Sequence, residues 1–265
     1  MKRLTALIIA AVLLAAGGPA ASARPALSER ATQSESTANG QAVVLPDDVP
    51  SPWAYDEVTQ AIVLGMVPVR LQTHWRSPIT RIQFAEMVIH FMAFQYGFAD
   101  DASFVSQYCA RSADRDGVFL GPGSWWNRFC GEYGQFSDLH HPEDRGYGRA
   151  AYALNIINGR DEDTFDPGGL LTRQEAAAIL LRCYQCYGGP YALSGEPRVV
   201  EDQADVADWA AEGVAAVLDL KVMNGTAAGH FEPEGTYTRE QAVLSLLRLY
   251  ANAPVSRGKG NIPAL

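Results

Sequence analysis

The amino-acid sequence predicts an all-α fold built from three copies of one helix-loop-helix unit. Three segments share the pattern apolar–Thr–Arg–any–Glu/Gln, at residues 79–83, 171–175 and 237–241. Each opens a stretch whose apolar residues recur every three or four positions, the spacing of one helix face. A shorter amphipathic segment precedes each of them across a loop. Self-similarity of this kind is typical of repeat architectures, in which each unit buries its apolar face against its neighbours.

Length and composition limit the classes of protein that fit. The chain has 265 residues, and 48% of them are hydrophobic, which is enough to form a core and excludes wholesale disorder. Its 21 Lys and Arg residues stand against 30 Asp and Glu residues, for a net charge of −9. That balance argues against a nucleic-acid partner, whose phosphates need a basic face. Any anionic partner must therefore be met by a local site.

The N-terminal segment predicts export. Residues 1–23 combine a basic start, an apolar run over 4–16 and an Ala-Ser-Ala cleavage motif, which is the pattern of a secretory signal peptide. The apolar run is too short to span a bilayer, which needs about 20 residues, so no membrane insertion is expected. Residues 24–43 are rich in Ser, Thr and Ala and are predicted to form a linker.

Three repeats and one insertion account for the rest of the chain. We predict the first repeat at 44–97, the second at 136–188 and the third at 199–251, followed by a C-terminal tail at 252–265. All three repeats open with an apolar-x-Asp triplet. The second and third have a glycine in the loop, and the first and third have a tryptophan before the short helix. These positions hold Asp47, Asp138 and Asp202; Trp53, Glu143 and Trp209; and Val69, Gly159 and Gly225.

The Thr-Arg motif predicts a helix start. A Thr followed three residues later by Glu or Gln is a capping box, in which each side chain satisfies a backbone N–H of the other residue. Each cap stabilises the fold by about 1 kcal/mol. The predicted boxes pair Thr80 with Gln83, Thr172 with Glu175 and Thr238 with Gln241.

The arginines of the motif need a different explanation. Arg81, Arg173 and Arg239 occupy the first helical position, where the helix dipole disfavours a cation by about 0.3–1 kcal/mol. Three such residues in register indicate a compensating negative group. One alternative is an acidic side chain such as Asp138 or Asp202; the other is an anionic ligand held by the guanidinium and the free N–H groups of the helix N-terminus. The residues alone leave both alternatives open.

Together these residues resemble the S-layer homology family. The opening Asp, the Trp-Ala before the short helix, the Asn-Gly, the Phe-x-Pro and the Thr-Arg-x-Glu follow that family's order, over roughly residues 44–251 with one interruption. The resemblance implies three repeats around a central, pseudo-threefold three-helix bundle, with ligand grooves between neighbours. It also implies binding of a secondary cell-wall polysaccharide, typically through the carboxylate of a pyruvylated amino sugar.

Carried over residue by residue, the resemblance implies a set of ligand-binding residues. Arg173 and Arg239 are the stronger candidates for anion contacts, because the first repeat departs from the pattern at its loop glycine and Arg81 belongs to that repeat. Glu143, in place of a tryptophan, indicates that a groove is degenerate. The remaining implied positions are Asp47, Asp138, Asp202, Trp53, Trp209, Gly159 and Gly225.

The resulting prediction is a secreted protein of the bacterial cell surface that binds cell-wall polysaccharide non-covalently. No recognisable catalytic or metal-binding motif is present, so we expect neither an enzyme nor a cofactor. The alternative is a structural or interaction protein that has kept the fold, has lost glycan binding and uses the 98–135 insertion to contact another surface protein.

The cysteines lie in and around the insertion. Exported chains oxidise paired cysteines, and the expected disulfide joins Cys109 to Cys130. Cys183 and Cys186 form a second candidate pair, although Cys183 falls on a core position of its helix. A single Cys-x-x-Cys without a second one is weak evidence for zinc.

Overall fold

The computed structural model describes residues 49–113, 129–131, 134–188, 190–195, 198–226 and 228–252. The predicted signal peptide, the predicted linker, Asp47 and residues 253–265 of the predicted tail lie outside these ranges. Much of the insertion, including Trp125 and Trp126, also lies outside them. All structural statements below concern the described residues.

Seven α-helices form the described part of the chain. The shorter helices are α1, α4 and α6, and the longer ones are α2, α5 and α7; α3 lies in the insertion. The bounds are α1 Tyr55–Val63, α2 Arg81–Tyr96, α3 Asp101–Ala113, α4 Pro142–Ala153, α5 Arg173–Gly188, α6 Ala211–Asp219 and α7 Arg239–Asn252. Extended pairing within the described residues is limited to isolated bridges, so the all-α class is confirmed.

The longer helices begin where the capping boxes predict. The amide of Gln83 donates to Thr80 Oγ1 at 3.4 Å, and the amide of Thr80 donates back to Gln83 Oε1 at 3.2 Å. The same reciprocal pair precedes the other two helices. These bonds join Thr172 to Glu175 and Thr238 to Gln241.

The helices pack in a circuit. Two of the longer helices lie against the shorter helix of the next segment, α2 against α4 and α5 against α6. The last one, α7, lies against α1 of the first segment, which closes the circuit. The longer helix α7 also contacts both α2 and α5. Large apolar side chains fill the space between these helices. Phe84, Phe91, Leu180 and Leu246 are among those almost fully removed from solvent, and burial of such side chains stabilises a fold by about 1.5–3 kcal/mol each.

Three backbone positions close a ring of hydrogen bonds just before the longer helices. The amide of Ile79 donates to the carbonyl of Tyr237 at 2.9 Å, Tyr237 donates to Leu171 at 3.0 Å, and Leu171 donates to Ile79 at 3.2 Å. All three side chains are buried. Each residue precedes the Thr of one motif, so the ring joins the three motif segments directly.

The insertion begins with a helix that packs on the first long helix. Gly97 ends α2 in a left-handed conformation, with φ of 73°, which glycine adopts without strain. The chain then turns into α3, which places Phe104, Val105 and Tyr108 in the core. This helix was not predicted from the sequence, where the segment was expected to be a disulfide-containing insertion.

The expected disulfides are not confirmed by the cysteines that the structure describes. Cys130, Cys183 and Cys186 carry free thiols. The side chain of Cys109, the expected partner of Cys130, lies outside the described part of the structure. Cys183 and Cys186 lie on the same helix but point to different partners. Cys183 Sγ lies 3.6 Å from Met92 Sδ, whereas Cys186 Sγ lies 3.5 Å from the carbonyl oxygen of Leu154. A disulfide requires the two side chains to point toward each other, which these do not.

Candidate functional site

The three motif arginines are buried and donate to backbone carbonyls. Arg81 Nε donates to the carbonyl of Phe165 at 3.0 Å, and its Nη2 donates to that of Asn158 at 2.8 Å. Arg173 repeats both bonds with Phe231 and Asn224, at 2.7 and 2.9 Å. Each of these guanidiniums also stacks on the phenylalanine to which it donates.

Arg239 follows a variant of this arrangement. Its Nη1 donates to the carbonyl of Thr73, and its Nε is buried without a hydrogen-bond partner. The loop that Arg239 contacts belongs to the first predicted repeat, which has Val69 where the other loops have glycine. Desolvation by burial lowers the pKa of all three arginines, as expected for cations removed from water.

The N-terminal amides of the longer helices are already occupied. Arg81 and Ile82 donate to the carbonyls of Gly169 and Pro167 at 2.8 and 3.2 Å. The other two helices make equivalent bonds. Arg173 and Gln174 donate to Gly235 and Pro233, and Arg239 and Glu240 donate to Ser77 and Trp75. The Thr cap holds the third amide, so all three N-terminal amides of each longer helix already have a hydrogen-bond partner within the described chain.

The two opening aspartates that the structure describes, Asp138 and Asp202, do not pair with these arginines. Asp138 accepts the amides of Phe165 and Asp166 at 2.9 and 2.7 Å. Asp202 accepts the amides of Phe231 and Glu232 at 2.7 and 2.6 Å. The acidic alternative considered from the sequence is therefore not observed; the aspartates hold the loop whose carbonyls receive the arginines.

The two loop glycines are needed for close packing. A Cβ on Gly159 would come within 2.5 Å of the carbonyl oxygen of Asp161, and one on Gly225 would come within 2.9 Å of that of His230. Since both obstacles are backbone atoms, a side chain cannot fit without moving the loop. Val69, at the corresponding position, lies in a 3₁₀ turn and is 84% exposed.

A groove lies beside the loop that contains Gly159. It encloses about 420 Å³ between the N-terminus of α2, the loop, one face of α5 and the 3₁₀ turn Asp208–Ala210 that precedes α6. Glu175, Ala178, Ile179 and Arg182 line it from α5 at intervals of three and four residues, which place them on one helix face. The remaining lining residues are Arg81, Ile157, Asn158, Gly159, Arg160 and Trp209.

The groove is cationic although the chain is acidic. Three arginines and one glutamate line it, and the glutamate pairs with Arg160, which also contacts Asp166 at 3.3 Å. Trp209 is 59% exposed, so its indole ring is available to a ligand. Exposed aromatic rings and cationic groups together suit a sugar that carries a negative charge.

The structure brings together residues from all three predicted repeats at this groove. Arg81 belongs to the first, Gly159 to the second and Trp209 to the third. Sequence reasoning missed Arg160 and Arg182. The available signals were the position of Arg160 directly after Asn-Gly and the three-and-four spacing that carries the face of α5 from Glu175 to Arg182.

The two surfaces equivalent to this groove differ from it, although one of them also has an exposed tryptophan. Trp53 occupies the position of Trp209 and is likewise 59% exposed. Glu143 replaces the tryptophan beside the loop of the first predicted repeat. There Arg70 pairs with the buried Glu86 and approaches Glu143 at 3.4 Å, so this surface is occupied by its own ion pairs.

These features define a helical protein with a cationic groove between its helices. The model of the S-layer homology domain matches the chain at residues 140–177 and 201–243. These two matched segments lie within the second and third predicted repeats and are similar to S-layer homology domains. S-layer homology domains are generally cell-wall anchoring modules that bind cell-wall polysaccharide, which indicates the cell surface or cell wall as the site of action.

The relatives found among characterised proteins are enzymes matched over a small part of their length. An endoglucanase of Bacillus sp. (strain KSM-635) is 32% identical over 101 residues, which are 37% of this chain and 11% of the enzyme. The exoglucanase XynX of Acetivibrio thermocellus is 30% identical over 44% of this chain and 11% of the enzyme. An amylopullulanase of Thermoanaerobacterium thermosulfurigenes is 30% identical over 44% of this chain and 6% of the enzyme.

The chain thus spans about a tenth or less of these relatives. Within its described residues, no helix is both long and apolar enough to cross a membrane.

Proposed function

We propose that this chain is a non-catalytic anchoring module that holds its bearer non-covalently to an acidic secondary cell-wall polysaccharide. The observation that carries the proposal is the groove lined by Arg81, Arg160, Arg182 and Trp209. It gives an acidic chain a local cationic site, with an exposed aromatic ring at its edge. A pyruvylated amino sugar supplies the two matching features, a carboxylate and an apolar sugar face.

The proposal includes three repeats, at 44–97, 136–188 and 199–251. Its support is the cyclic pattern of contacts: the hydrogen-bond ring of Ile79, Leu171 and Tyr237, and the packing of each longer helix on the shorter helix of the following segment. A pseudo-threefold bundle accounts for both. The proposed export by a signal peptide over 1–23, the linker at 24–43 and the tail at 252–265 rest on sequence pattern alone.

In this proposal some residues contact the sugar and others keep the groove in shape. Trp209 and Arg182 contact the sugar directly, whereas Arg81 forms the buried wall beside it. Arg173, Arg239, Asp138, Asp202 and Gly225 keep the loops and helix starts in place. Trp53 is the counterpart of Trp209 on another surface, and Asp47 remains an expected loop-holding residue of the first repeat.

A co-sedimentation experiment tests the proposal. The full mature chain is mixed with purified Gram-positive sacculi, before and after the secondary polymer is removed chemically. We expect pelleting with intact sacculi, loss of pelleting after polymer removal, and weakening by Trp209→Ala. Trp53→Ala, an equally exposed tryptophan outside the groove, is the matched control. Pelleting that ignores polymer removal would contradict glycan binding.

The alternative is an interaction protein that uses the 98–135 insertion. Its support is the packing of α3 against α2, with Phe104 and Tyr108 buried, which gives the insertion a fixed base. A chain lacking residues 114–128 separates the two functions. If the chain binds the wall polymer, the deletion leaves its retention on intact cells unchanged. If the insertion binds another surface protein, the deletion abolishes both that retention and cross-linking of the chain to its partner.

A further inference from the structure

Three equivalent positions on the longer helices carry cationic or titratable side chains. They lie nine residues after the motif arginine, and they hold His90 on α2, Arg182 on α5 and Arg248 on α7. Nine residues are two and a half helical turns, so each side chain leaves the helix on the side opposite to the motif arginine. On α5 this side holds the groove beside Gly159, which Arg182 lines.

Two of the three side chains are neutralised by a carboxylate. Arg248 donates to both oxygens of Glu57, with Nε–Oε1 at 2.9 Å and Nη2–Oε2 at 2.8 Å. Such a bidentate pair satisfies the guanidinium in geometry and in charge. His90 lies 2.9 Å from Asp101 Oδ1, the first residue of α3.

Arg182 has no such partner. Among the described residues it forms no ion pair, and its one hydrogen bond reaches the carbonyl of Ile156 at 3.5 Å, the long limit for such a contact. It is half-buried, and desolvation lowers the pKa of its guanidinium without an opposing carboxylate. A partly desolvated cation without a counter-charge favours an anion from outside the chain.

A glycine explains the missing carboxylate. Glu57 lies four residues after Trp53, and the residue four after Trp209 is Gly213. A Cβ at Gly213 would come within 2.7 Å of Ala178 Cα and 2.8 Å of Ala178 N. Since these are backbone atoms of α5, no side chain fits there. The close contact of α6 with α5 thus removes the carboxylate and leaves Arg182 facing the groove.

The other arginines of the groove are engaged. Arg81 is 4% exposed and donates to two carbonyls. Arg160 pairs with Glu175 and Asp166. The surface next to the first predicted repeat is occupied by Arg70, Glu86 and Glu143. Arg182 is therefore the cation of this groove that has neither an ion pair nor a short hydrogen bond among the described residues.

We propose that Arg182 binds the negative group of the ligand, and that the chain has one anion-binding groove rather than three equivalent ones. The inference rests on the proposed function, because it names the residue and the number of sites through which an acidic glycan is bound. The occupant is a carboxylate-bearing sugar, whose ring lies on Trp209 while its carboxylate meets the Arg182 guanidinium. Neutral sugars of the same shape bind weakly.

Isothermal titration calorimetry of the full mature chain tests the proposal. The probe is the methyl glycoside of a 4,6-O-pyruvylated N-acetylhexosamine, and its methyl ester is the neutral control. We expect one site per chain, and a loss of affinity of about tenfold or more with Arg182→Gln, the size of one lost charged hydrogen bond. The same substitution at the equivalent position, Arg248→Gln combined with Glu57→Gln, is the matched control and should leave affinity unchanged.

The outcomes distinguish failure of the proposed function from failure of the proposal for Arg182. Absence of binding to both the probe and intact sacculi would overturn the proposed function. Binding by the wild-type chain that survives Arg182→Gln, or a stoichiometry of two or three, would overturn this inference and leave the proposed function standing. Thermal unfolding of Arg182→Gln should match the wild type, since the side chain makes one long hydrogen bond; a large fall in the unfolding temperature would assign Arg182 a structural role instead and overturn the inference.

Discussion

The Arg173 guanidinium stacks 4.9 Å from the ring centroid of Phe231 and donates from Nε to the carbonyl of the same residue at 2.7 Å. One arginine side chain thus contacts both the aromatic ring and the backbone carbonyl of a residue in another segment's loop. Arg81 and Phe165 are related in the same way. A sequence motif that resembles a ligand-binding signature is therefore also a cross-link between neighbouring segments of the chain.

We expect Arg173→Lys to destabilise the fold. Lysine keeps the charge but cannot donate from two fixed nitrogens to Phe231 and Asn224 or stack in the same way. The free energy of unfolding should fall by about 1.5–3 kcal/mol, the size of a hydrogen bond to a charged group. Urea denaturation followed by circular dichroism measures the change. Arg198→Lys, at an exposed position, is the control; equal stability of both variants would contradict the cross-link.

Asp202→Asn should remove an acid-sensitive contribution to stability. Burial alone would raise the pKa of Asp202, but the amides of Phe231 and Glu232 outweigh it and hold the pKa below its usual value. A depressed folded pKa stabilises the fold above the unfolded value of about 3.9 and loses that effect as pH falls through the folded pKa. The variant should therefore be less stable by about 1–3 kcal/mol at pH 7.

The difference between wild type and Asp202→Asn should shrink below about pH 4. Urea unfolding at pH 7, 5, 4 and 3 gives the curve. Asp208→Asn, an exposed aspartate nearby, should show no such convergence. A gap that stays constant across this range would mean that the carboxylate charge plays no part.

Local features of the site could be predicted from sequence, and features set by distant residues could not. The boxes of Thr80 and Thr172 follow from residues three apart, since a helix start is defined within one turn. The burial of Arg81 and Arg173 could not be predicted, because their acceptors are carbonyls, which carry no side-chain signature. Arg182 lacks a carboxylate partner because Gly213, a residue of another helix, packs against the backbone of α5. That contact exists only in the folded chain, so sequence spacing could not predict it.

The same contrast applies to the fold. The helix periods and the motif spacing were enough to predict an all-α chain, because amphipathic patterns are strong in the longer helices. The helix α3 was missed because the insertion was judged by its cysteines and glycines rather than by the spacing of Phe104, Val105 and Tyr108. Cys183 was correctly placed in the core, and the disulfides are not confirmed, since the three described cysteines carry free thiols.

Gly213→Ala should be far more harmful than Gly148→Ala, although both glycines lie in shorter helices. An added methyl at 213 meets the backbone of Ala178 at 2.7 Å, whereas at 148 it meets the end of the Leu139 side chain at 2.8 Å, which can rotate away. We expect Gly213→Ala to cost about 1–3 kcal/mol by overpacking. The gain in helix propensity at 148, up to about 1 kcal/mol, should offset most of its penalty. Thermal unfolding of the two variants measures the contrast, and equal costs would contradict it.

The stability of the contact between α2 and α3 should fall as pH rises above neutral. His90 Nδ1 lies 2.9 Å from Asp101 Oδ1, and its Nε2 lies 3.1 Å from the carbonyl of Gly65, so both ring nitrogens face acceptors. Burial alone lowers the pKa of His90, but Asp101 and the Gly65 carbonyl outweigh it and raise the pKa above the usual value. A raised folded pKa stabilises the fold below about pH 6.5 and loses that effect as pH rises through the folded pKa.

His90→Gln should therefore flatten the pH dependence of unfolding between about pH 6 and 9. Denaturant unfolding at several pH values provides the measurement. His140→Gln, an exposed histidine, should leave the dependence intact. A wild-type protein whose stability rises across this range would contradict the predicted sign.

The thiols of Cys183 and Cys186 should resist alkylation in the folded protein. Burial raises the pKa of Cys186 to about 11 and that of Cys183 well above its usual value, so both stay protonated at neutral pH, and only the thiolate reacts quickly. Intact-mass and peptide mass spectrometry after iodoacetamide treatment should show both residues unlabelled in buffer and labelled in denaturant without reductant. Cys130, which is partly exposed, provides the internal comparison. If Cys183 or Cys186 is labelled in denaturant only after a reductant is added, the residue is oxidised. That result would contradict the free thiols of the folded protein.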